Sequence, residues 1–345
     1  MPTIADVAAS AGVGLGTVSR VLNGSPKVRA ETRARVLDAI DTLGYRPNPL
    51  ARGLSLGRCQ TVGVVVPFFT HASAVERLRG VVAALDQSRY DLVLFNVESP
   101  VHREEHLGSL TRRDRADGLL IMSLPTPAEE LERLAVSGVP IVLVDAEGVG
   151  VTAVVTDDVA GGRMATQHLV DLGHHAIAFL GDDPANSFGF TSSTQRELGY
   201  RAVLAEAGEE VRRDLVRHGP HEREVGAQVG AELFALEDPP TAVFASSDVQ
   251  ATGIIAAAAH AGLRVPEDIS VIGFDDVEIS GYIGLTTVRQ PLFDSGFLGG
   301  QLLLDALAAP APGRGDHPQV HPLELELVIR TTTAPPTSGR GSTRG

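Results

Sequence analysis

The stretch Thr3-Ile4-Ala5-Asp6-Val7-Ala8-Ala9-Ser10-Ala11-Gly12-Val13-Gly14-Leu15-Gly16-Thr17-Val18-Ser19-Arg20-Val21-Leu22 decides how this chain is read. Thr3 and Asp6 stand three residues apart, the spacing of a capping box, in which each side chain accepts a backbone N–H that the helix leaves unpaired. Ile4, Val7, Ala8 and Ala11 then recur at i, i+3, i+4 and i+7, the apolar stripe of a first helix. Gly12 can take the positive φ that a tight turn between helices requires. A second helix is predicted over about 15–23, burying Val18, Val21 and Leu22 and leaving Leu15, Gly16, Thr17, Ser19 and Arg20 on more exposed sides. A third, over about 30–43, is predicted to bury Val36, Leu37, Ile40 and Leu43 and to stop at Gly44. Two short helices about a glycine turn, backed by a third, form a helix-turn-helix arrangement.

Working outward, charge separates this segment from the rest. The whole chain of 345 residues carries −14, which argues against nucleic acid. Residues 1–60 nevertheless hold eight basic and four acidic residues, a net of +4, and the remainder holds −18. A cationic head on an anionic body attracts phosphate at one end and limits adhesion elsewhere. The length suits two or three domains. No run of 18 uncharged apolar residues marks a membrane span, and the N-terminus lacks a signal peptide. Cys59 is the single cysteine, which fits a reducing cytoplasm.

The literal strings are more specific than the spacing. Thr3 to Ala8, Ala11-Gly12-Val13, Thr17-Val18-Ser19-Arg20-Val21-Leu22-Asn23-Gly24, Glu31-Thr32-Arg33 and Leu43-Gly44-Tyr45-Arg46-Pro47-Asn48 resemble the headpiece of the lactose-repressor/galactose-repressor family of transcriptional regulators. That resemblance makes the second helix a recognition helix in the major groove. Leu15, Gly16 and Arg20 match base-reading positions; Arg20 can donate bidentately to guanine, and Leu15 can touch a thymine methyl. Thr17, Ser19, Asn23, Thr32 and Tyr45 match positions that hold phosphates and set register. The chain departs at Gly14, where the family often has a serine that caps the recognition helix. Asn48, Pro49 and the following residues resemble a hinge helix, with Ala51 at a backbone-contacting position and Leu54 at that of a wedge leucine inserted between base steps. So short a helix nucleates poorly and Gly53 weakens it further, so the hinge is expected to order only on DNA.

From Thr61 onward, β-type runs over 62–66, 91–95, 118–122, 141–144, 176–180, 242–245 and 270–274 alternate with helical segments over 73–87, 102–113, 127–137, 160–172, 192–207, 221–236 and 249–262. Short buried strands alternating with helices predict parallel sheets covered on both faces, and about ten such units predict two lobes. Strings such as Gly63-Val64-Val65-Val66-Pro67, Ser246-Ser247-Asp248, Gly273-Phe274-Asp275-Asp276 and Thr287-Val288-Arg289-Gln290-Pro291 extend the family resemblance across nearly the whole chain. It implies a periplasmic-binding-protein-like α/β body of two doubly wound parallel-sheet lobes behind an all-α helix-turn-helix headpiece. The chain would cross between lobes near Val159, Arg289 and Pro322, with a small-molecule effector in the cleft.

Carried over residue by residue, Arg196 matches a cleft arginine and Asp275 a carboxylate facing it from the other lobe. Ser247 stands where an asparagine often contacts ligand, Asp157 at a further ligand position, and Ser73 and Ala74 where pocket aromatics are usual. The stacking platform for a sugar ring is therefore weakened or moved, with Phe68, Phe69, Phe188, Phe190 and Tyr282 as replacements. This points to an effector that is not a typical hexose or is held in an unusual pose.

The implied organisation is a headpiece over 1–46, a hinge over 47–60, a first lobe from 61–159 and 290–321, a second from 160–289 and 322–334, and a disordered tail over 335–345. The implied partners are a two-fold DNA operator, a sugar-like or other small polar effector, and a second copy of the chain. No coiled-coil heptads follow the body. Gly12 to Gly16 lacks the preceding strand of a phosphate loop, and no nucleophile elbow appears, so neither a cofactor nor catalysis is expected. His174-His175 lacks companion metal ligands and reads as a strand-leading surface pair. A stand-alone solute-binding protein would have no use for residues 3–54, and an α/β enzyme would need a catalytic constellation.

Overall fold

The computed structural model describes residues 2–22, 24–46, 59–110, 115–309 and 318–337. They form two compact units, one within residues 1–60 and one from Thr61 onward. The first contains α1 (Ile4–Ala11), α2 (Leu15–Leu22) and α3 (Ala30–Leu43). The capping box forms: Thr3 N donates to Asp6 Oδ2 at 2.7 Å, and Asp6 N donates to Thr3 Oγ1 at 3.3 Å. Those bonds from Thr3 hold the Asp6 carboxyl below its ordinary pKa. Gly12 closes α1 at φ 60, and Arg35 reaches from α3 to donate to the Ala11 carbonyl at 2.8 Å, fixing the turn. Val7, Val18 and Val36 are fully buried at the centre. Leu37 is not part of this core: it is 47% exposed, and Ala39 is buried in its stead. Val36, Ala39, Ile40 and Leu43 follow the i, i+3, i+4, i+7 rule, and Leu37 is turned about 100° from Val36.

The second unit carries two six-stranded sheets. The first comprises β1 (Thr61–Pro67), β2 (Asp91–Val97), β3 (Gly118–Met122), β4 (Ile141–Val144), β5 (Thr152–Thr156) and β11 (Val320–Leu323), all parallel, in the order β11-β5-β4-β3-β1-β2. The second comprises β6 (Ile177–Gly181), β7 (Val216–His218), β8 (Ala242–Ala245), β9 (Ser270–Asp275), β10 (Thr286–Arg289) and β12 (Glu326–Val328), in the order β12-β10-β9-β8-β6-β7, with only β12 antiparallel. Val62, Val64, Val65 and Val66 in β1, and every residue of β3 and β8, are buried because helices cover both faces.

The helices that matter here are α4 (Ala72–Leu85), α5 (Pro100–Leu110), α6 (Ala128–Val136), α7 (Asp158–Asp171), α8 (Ser192–Glu206), α9 (Arg223–Phe234), α10 (Asp248–His260), α11 (Glu278–Ile283) and α12 (Leu292–Ala308). Three pairs, α4 with α12, α7 with α8 and α9 with α10, are locked by glycines that meet the partner's backbone. A Cβ on Gly296 would collide with the Arg77 carbonyl, one on Gly162 with that of Arg196, and one on Gly226 with that of Gln250. The reciprocal glycines Gly80, Gly199 and Gly253 face Phe293, Val159 and Arg223 in the same way. The seventeen-residue α12 was not among the expected helices; its Gly296, Gly299 and Gly300, residues that weaken an isolated helix, are close-packing contacts here.

The third crossing does fall near Pro322, which pairs with Val155 in the first sheet: the chain changes lobes between Leu323 and Glu326. Two expectations need correction. His174 is not at the surface. It is 2% exposed, its ring bonds Thr241 at 2.9 Å and Ser270 at 3.1 Å, and its Nε2 reaches the Ala334 carbonyl at 2.9 Å. Burial holds its pKa down, so it is a neutral core tie for the last residues of the body. The tail does not begin at 335: Thr337 donates to the Glu267 carbonyl at 3.3 Å, and only 338–345 lie outside the described residues.

Candidate functional site

The headpiece presents one outer face of α2. Leu15 is 53% exposed, Gly16 and Arg20 are exposed, and Thr17 and Ser19 are half-buried. Gly14 occupies the N-cap, its carbonyl accepting from Thr17 at 2.8 Å and Val18 at 3.3 Å, so the helix starts without a side-chain cap. Helical side chains lean toward the N-terminus, and Arg20 does so. Its Nη2 lies 3.6 Å from where a Cβ on Gly16 would stand. The guanidinium therefore lies next to Gly16, in the first turn of the helix. Thr32 and Tyr45 are half-buried on the same unit, Tyr45 packing on its core. Asn23, Ala51 and Leu54 lie outside the described residues, as does the hinge over 47–58.

In the body, backbone conformation marks a second site. Among the described residues, the non-glycine positions with positive φ are Gln60, Phe68, Ser123, Asp145, Asp275 and Asp276. All but Gln60 sit at the carboxyl ends of β1, β3, β4 and β9, where open α/β sheets bind ligands. Such strain persists where surrounding contacts enforce it, and it clusters at ligand sites. Between the lobes lies a cavity of about 610 Å³, lined by residues of the first lobe including Ser123, Thr126, Asp145 and Glu147, and by Asp157, Asp158, Phe190, Thr191, Ser192 and Gln195.

The expected effector residues divide around this cavity. Asp157 lines it, while its side chain also caps α7 by accepting from Ala160 N at 2.8 Å. Ser73, in the first turn of α4, is half-buried and does not line it. Ser247 is fully buried and serves as N-cap of α10, accepting from Gln250 N at 3.2 Å. Arg196 and Asp275 do not face one another from opposite lobes. Both belong to the second, Arg196 on α8 and Asp275 at the end of β9. Arg196 pairs instead with Asp158, Nε to Oδ1 at 2.8 Å, donates to the Ser246 carbonyl at 2.6 Å, and lies over the Phe274 ring at 3.7 Å. Burial pushes Asp158 above the carboxylate range although Arg196 opposes it.

A polar chain that the sequence reading missed joins the lobes. Ser123 donates to Asp145 at 2.7 Å, and Arg77 pairs with the same carboxylate at 2.9 Å. Arg77 also donates to Gln290 Oε1 at 3.0 Å, and Gln290 Nε2 donates to Asp275 Oδ1 at 2.6 Å. Arg77 and Gln290 are nearly inaccessible to solvent. Burial raises the Asp275 pKa against the opposition of Arg196 and His221. Asp248, buried beside it, is pushed up to about 7 by desolvation and then by Asp275, although Ser280, Thr287 and Val277 N all donate to it. Gln290 was visible as part of the Thr287–Pro291 string, but nothing in its spacing tied it to Arg77.

Comparison with known proteins accords with this geometry. Residues 3–48 match the family described as bacterial regulatory proteins, lacI family, and residues 166–333 match the periplasmic binding protein-like domain. Catabolite control protein A of Priestia megaterium is 36% identical over 308 residues, 87% of this chain and 91% of that protein. The HTH-type transcriptional repressor PurR of Photobacterium profundum is 32% identical over 338 residues, 96% of this chain and 98% of that protein. Among solved structures, the lac repressor dimer bound to operator and the anti-inducer ONPF matches with a TM-score of 0.80 at 28% identity, covering 96% of this chain and 99% of that one. The transcriptional regulator CelR–cellobiose complex matches at 0.69 and 33% identity, covering 96% of this chain and all of that one.

Proposed function

The chain belongs to the lacI family of bacterial regulatory proteins, and from that premise we propose how its parts divide the work of a DNA-binding transcriptional repressor controlled by a small effector. The headpiece reads the operator through Arg20, Leu15 and Gly16 on α2, with Thr17, Ser19, Asn23, Thr32, Tyr45 and Ala51 on phosphates and Leu54 at the central step. A dimer presents two such helices to a two-fold site. The apolar face of α4 and α12, where Val75, Val82 and Phe293 are exposed, supports a second copy seated there. The effector occupies the cleft between the lobes, against Asp157 and the strained strand ends. The lac repressor structure with an anti-inducer and the CelR structure with cellobiose support a small-molecule effector for this chain. The reported relatives are regulators, which favours binding over catalysis.

The observation that carries the DNA reading is the exposed Leu15–Gly16–Arg20 face on a helix whose start is fixed by an ordered turn. A mobility-shift titration on DNA from upstream of the protein's own gene tests it. Arg20→Ala should weaken specific binding by about 1–3 kcal/mol, roughly fivefold to 150-fold, and relax preference at one base pair. Unchanged affinity and unchanged sequence preference in Arg20→Ala would remove the recognition role from this face.

A further inference from the structure

Two imidazoles meet between the lobes. His71 precedes α4 in the first lobe, and His221 precedes α9 in the second. Their ring centroids lie 5.2 Å apart at 18°, a stacked pair. Phe68 stacks on the other face of His71 at 5.2 Å and meets Phe188 edge-on at 5.4 Å. Phe188 comes from the loop between β6 and α8 of the second lobe, yet it packs into the apolar core under the first sheet. The lobes are thus held together by rings from both sides.

We propose that the His71–His221 stack is a clasp between the lobes that mild acid releases. The groups facing the pair set its charge. Asp182, at the end of β6, lies 3.4 Å from His221 Nδ1, and Gln250 steadies that carboxylate by donating to it at 3.1 Å. Asp275 from β9 and Arg196 from α8 act on His221 at longer range. Burial opposes a charge on His221, but the Asp182 carboxylate outweighs it and keeps the ring above the ordinary imidazole range. His71 has no carboxylate of its own: burial, then His221, hold it below that range, with Asp182 only partly offsetting them. Around pH 6.5, above the one pKa and below the other, the pair is therefore one neutral ring on one cationic ring, an attractive arrangement akin to a cation over an aromatic face. Protonating His71 puts two like charges 5.2 Å apart in half-buried surroundings, where they repel.

Opening lets His71 hydrate and titrate at its ordinary value, so the open form takes up the proton first. The opening equilibrium then gains up to about tenfold per pH unit as pH falls between the two pKa values. The test is the inter-lobe distance of the full chain by double electron–electron resonance. Spin labels go on exposed Val101 and Glu224, one in each lobe, in a Cys59→Ser background that removes the single native cysteine. Far-UV circular dichroism at each pH confirms that the fold is retained. The distance should lengthen as pH falls from 6.5 toward 5; His71→Gln should flatten that response and His221→Gln should diminish it. A wild-type distance unchanged to pH 5, or lengthening undiminished in both variants, overturns the proposal. Neither DNA nor effector enters the measurement, so its outcome is separate from the regulatory reading.

Discussion

Arg196→Ala removes three interactions at one stroke: the Asp158 ion pair at 2.8 Å, the bond to the Ser246 carbonyl at 2.6 Å and the stack on Phe274 at 3.7 Å. The Asp158 side chain is only 16% exposed, so the variant leaves a carboxylate largely cut off from water. Breaking a buried pair from one side costs about 3–5 kcal/mol, much of it from the stranded charge. The stacked cation contributes about 0.5–2 kcal/mol of its own. We expect Arg196→Ala to destabilise the body by about 4 kcal/mol. Adding Asp158→Ala removes the stranded charge and should return about 2 kcal/mol, so the double variant is more stable than the single. pH gives a second handle. In the variant, the folded protein binds a proton at Asp158 more readily than the unfolded chain does. The penalty is therefore smallest in acid and grows as pH rises through the elevated pKa. Urea unfolding followed by tyrosine fluorescence measures all of this, since the chain has no tryptophan and Tyr200 is fully buried against Phe179. If the double variant loses the sum of the two single losses, the pair is uncoupled and the reasoning fails.

Gly162→Ala should cost about 1–3 kcal/mol, because its methyl group lands on the Arg196 carbonyl and drives α7 and α8 apart. The same urea cycle should then show a weaker Arg196–Asp158 coupling; full coupling would mean that the helix pair relaxes elsewhere. Asp248, raised to about 7 from an ordinary 3.8, holds a proton in the folded state that the unfolded chain gives up. Wild-type stability should therefore fall as pH rises from about 4 to about 7 and level off above, and Asp248→Asn should flatten that fall in unfolding midpoints taken from pH 4.5 to 8.

The headpiece was legible almost to the residue because its signals are local. Thr3 and Asp6 act within one turn, Gly12 needs only its own φ, and Val18 and Val21 declare a helix face by spacing. Leu37 was misplaced because an apolar side chain beside Val36 looks like core until the neighbouring helices fix which 100° sector is covered. In the body, the central strands β1, β3, β8 and β9 announced themselves as apolar runs. β5, β7, β10, β11 and β12 did not, and β11 and β12 are short and partly exposed throughout. α12 was not among the expected helices; a glycine weakens a helix in isolation, and only the Arg77 carbonyl across the interface makes Gly296 necessary.

The cleft was the hardest part to read, for a related reason. A resemblance can assign Arg196 and Asp275 to a pocket, but it cannot say which carboxylate the arginine meets first. That choice depends on α7 and α8 closing to backbone contact at Gly162 and Gly199, which brings Asp158, at the start of α7, beside the guanidinium. With Arg196 thus committed, Asp275 is left to Gln290, and through Gln290 to Arg77 in the other lobe. Ser123, Asp145, Arg77, Gln290 and Asp275 therefore form one connected set. Ordering the lobes requires satisfying Arg77, Gln290 and Asp275 together, since a half-satisfied buried network costs more than an apolar one. Gln290 stands just past a crossing strand, so rotation of one lobe against the other acts on the Arg77–Gln290–Asp275 chain. Gln290 lies within a motif string and Arg77 in none, so only the fold shows that the two meet.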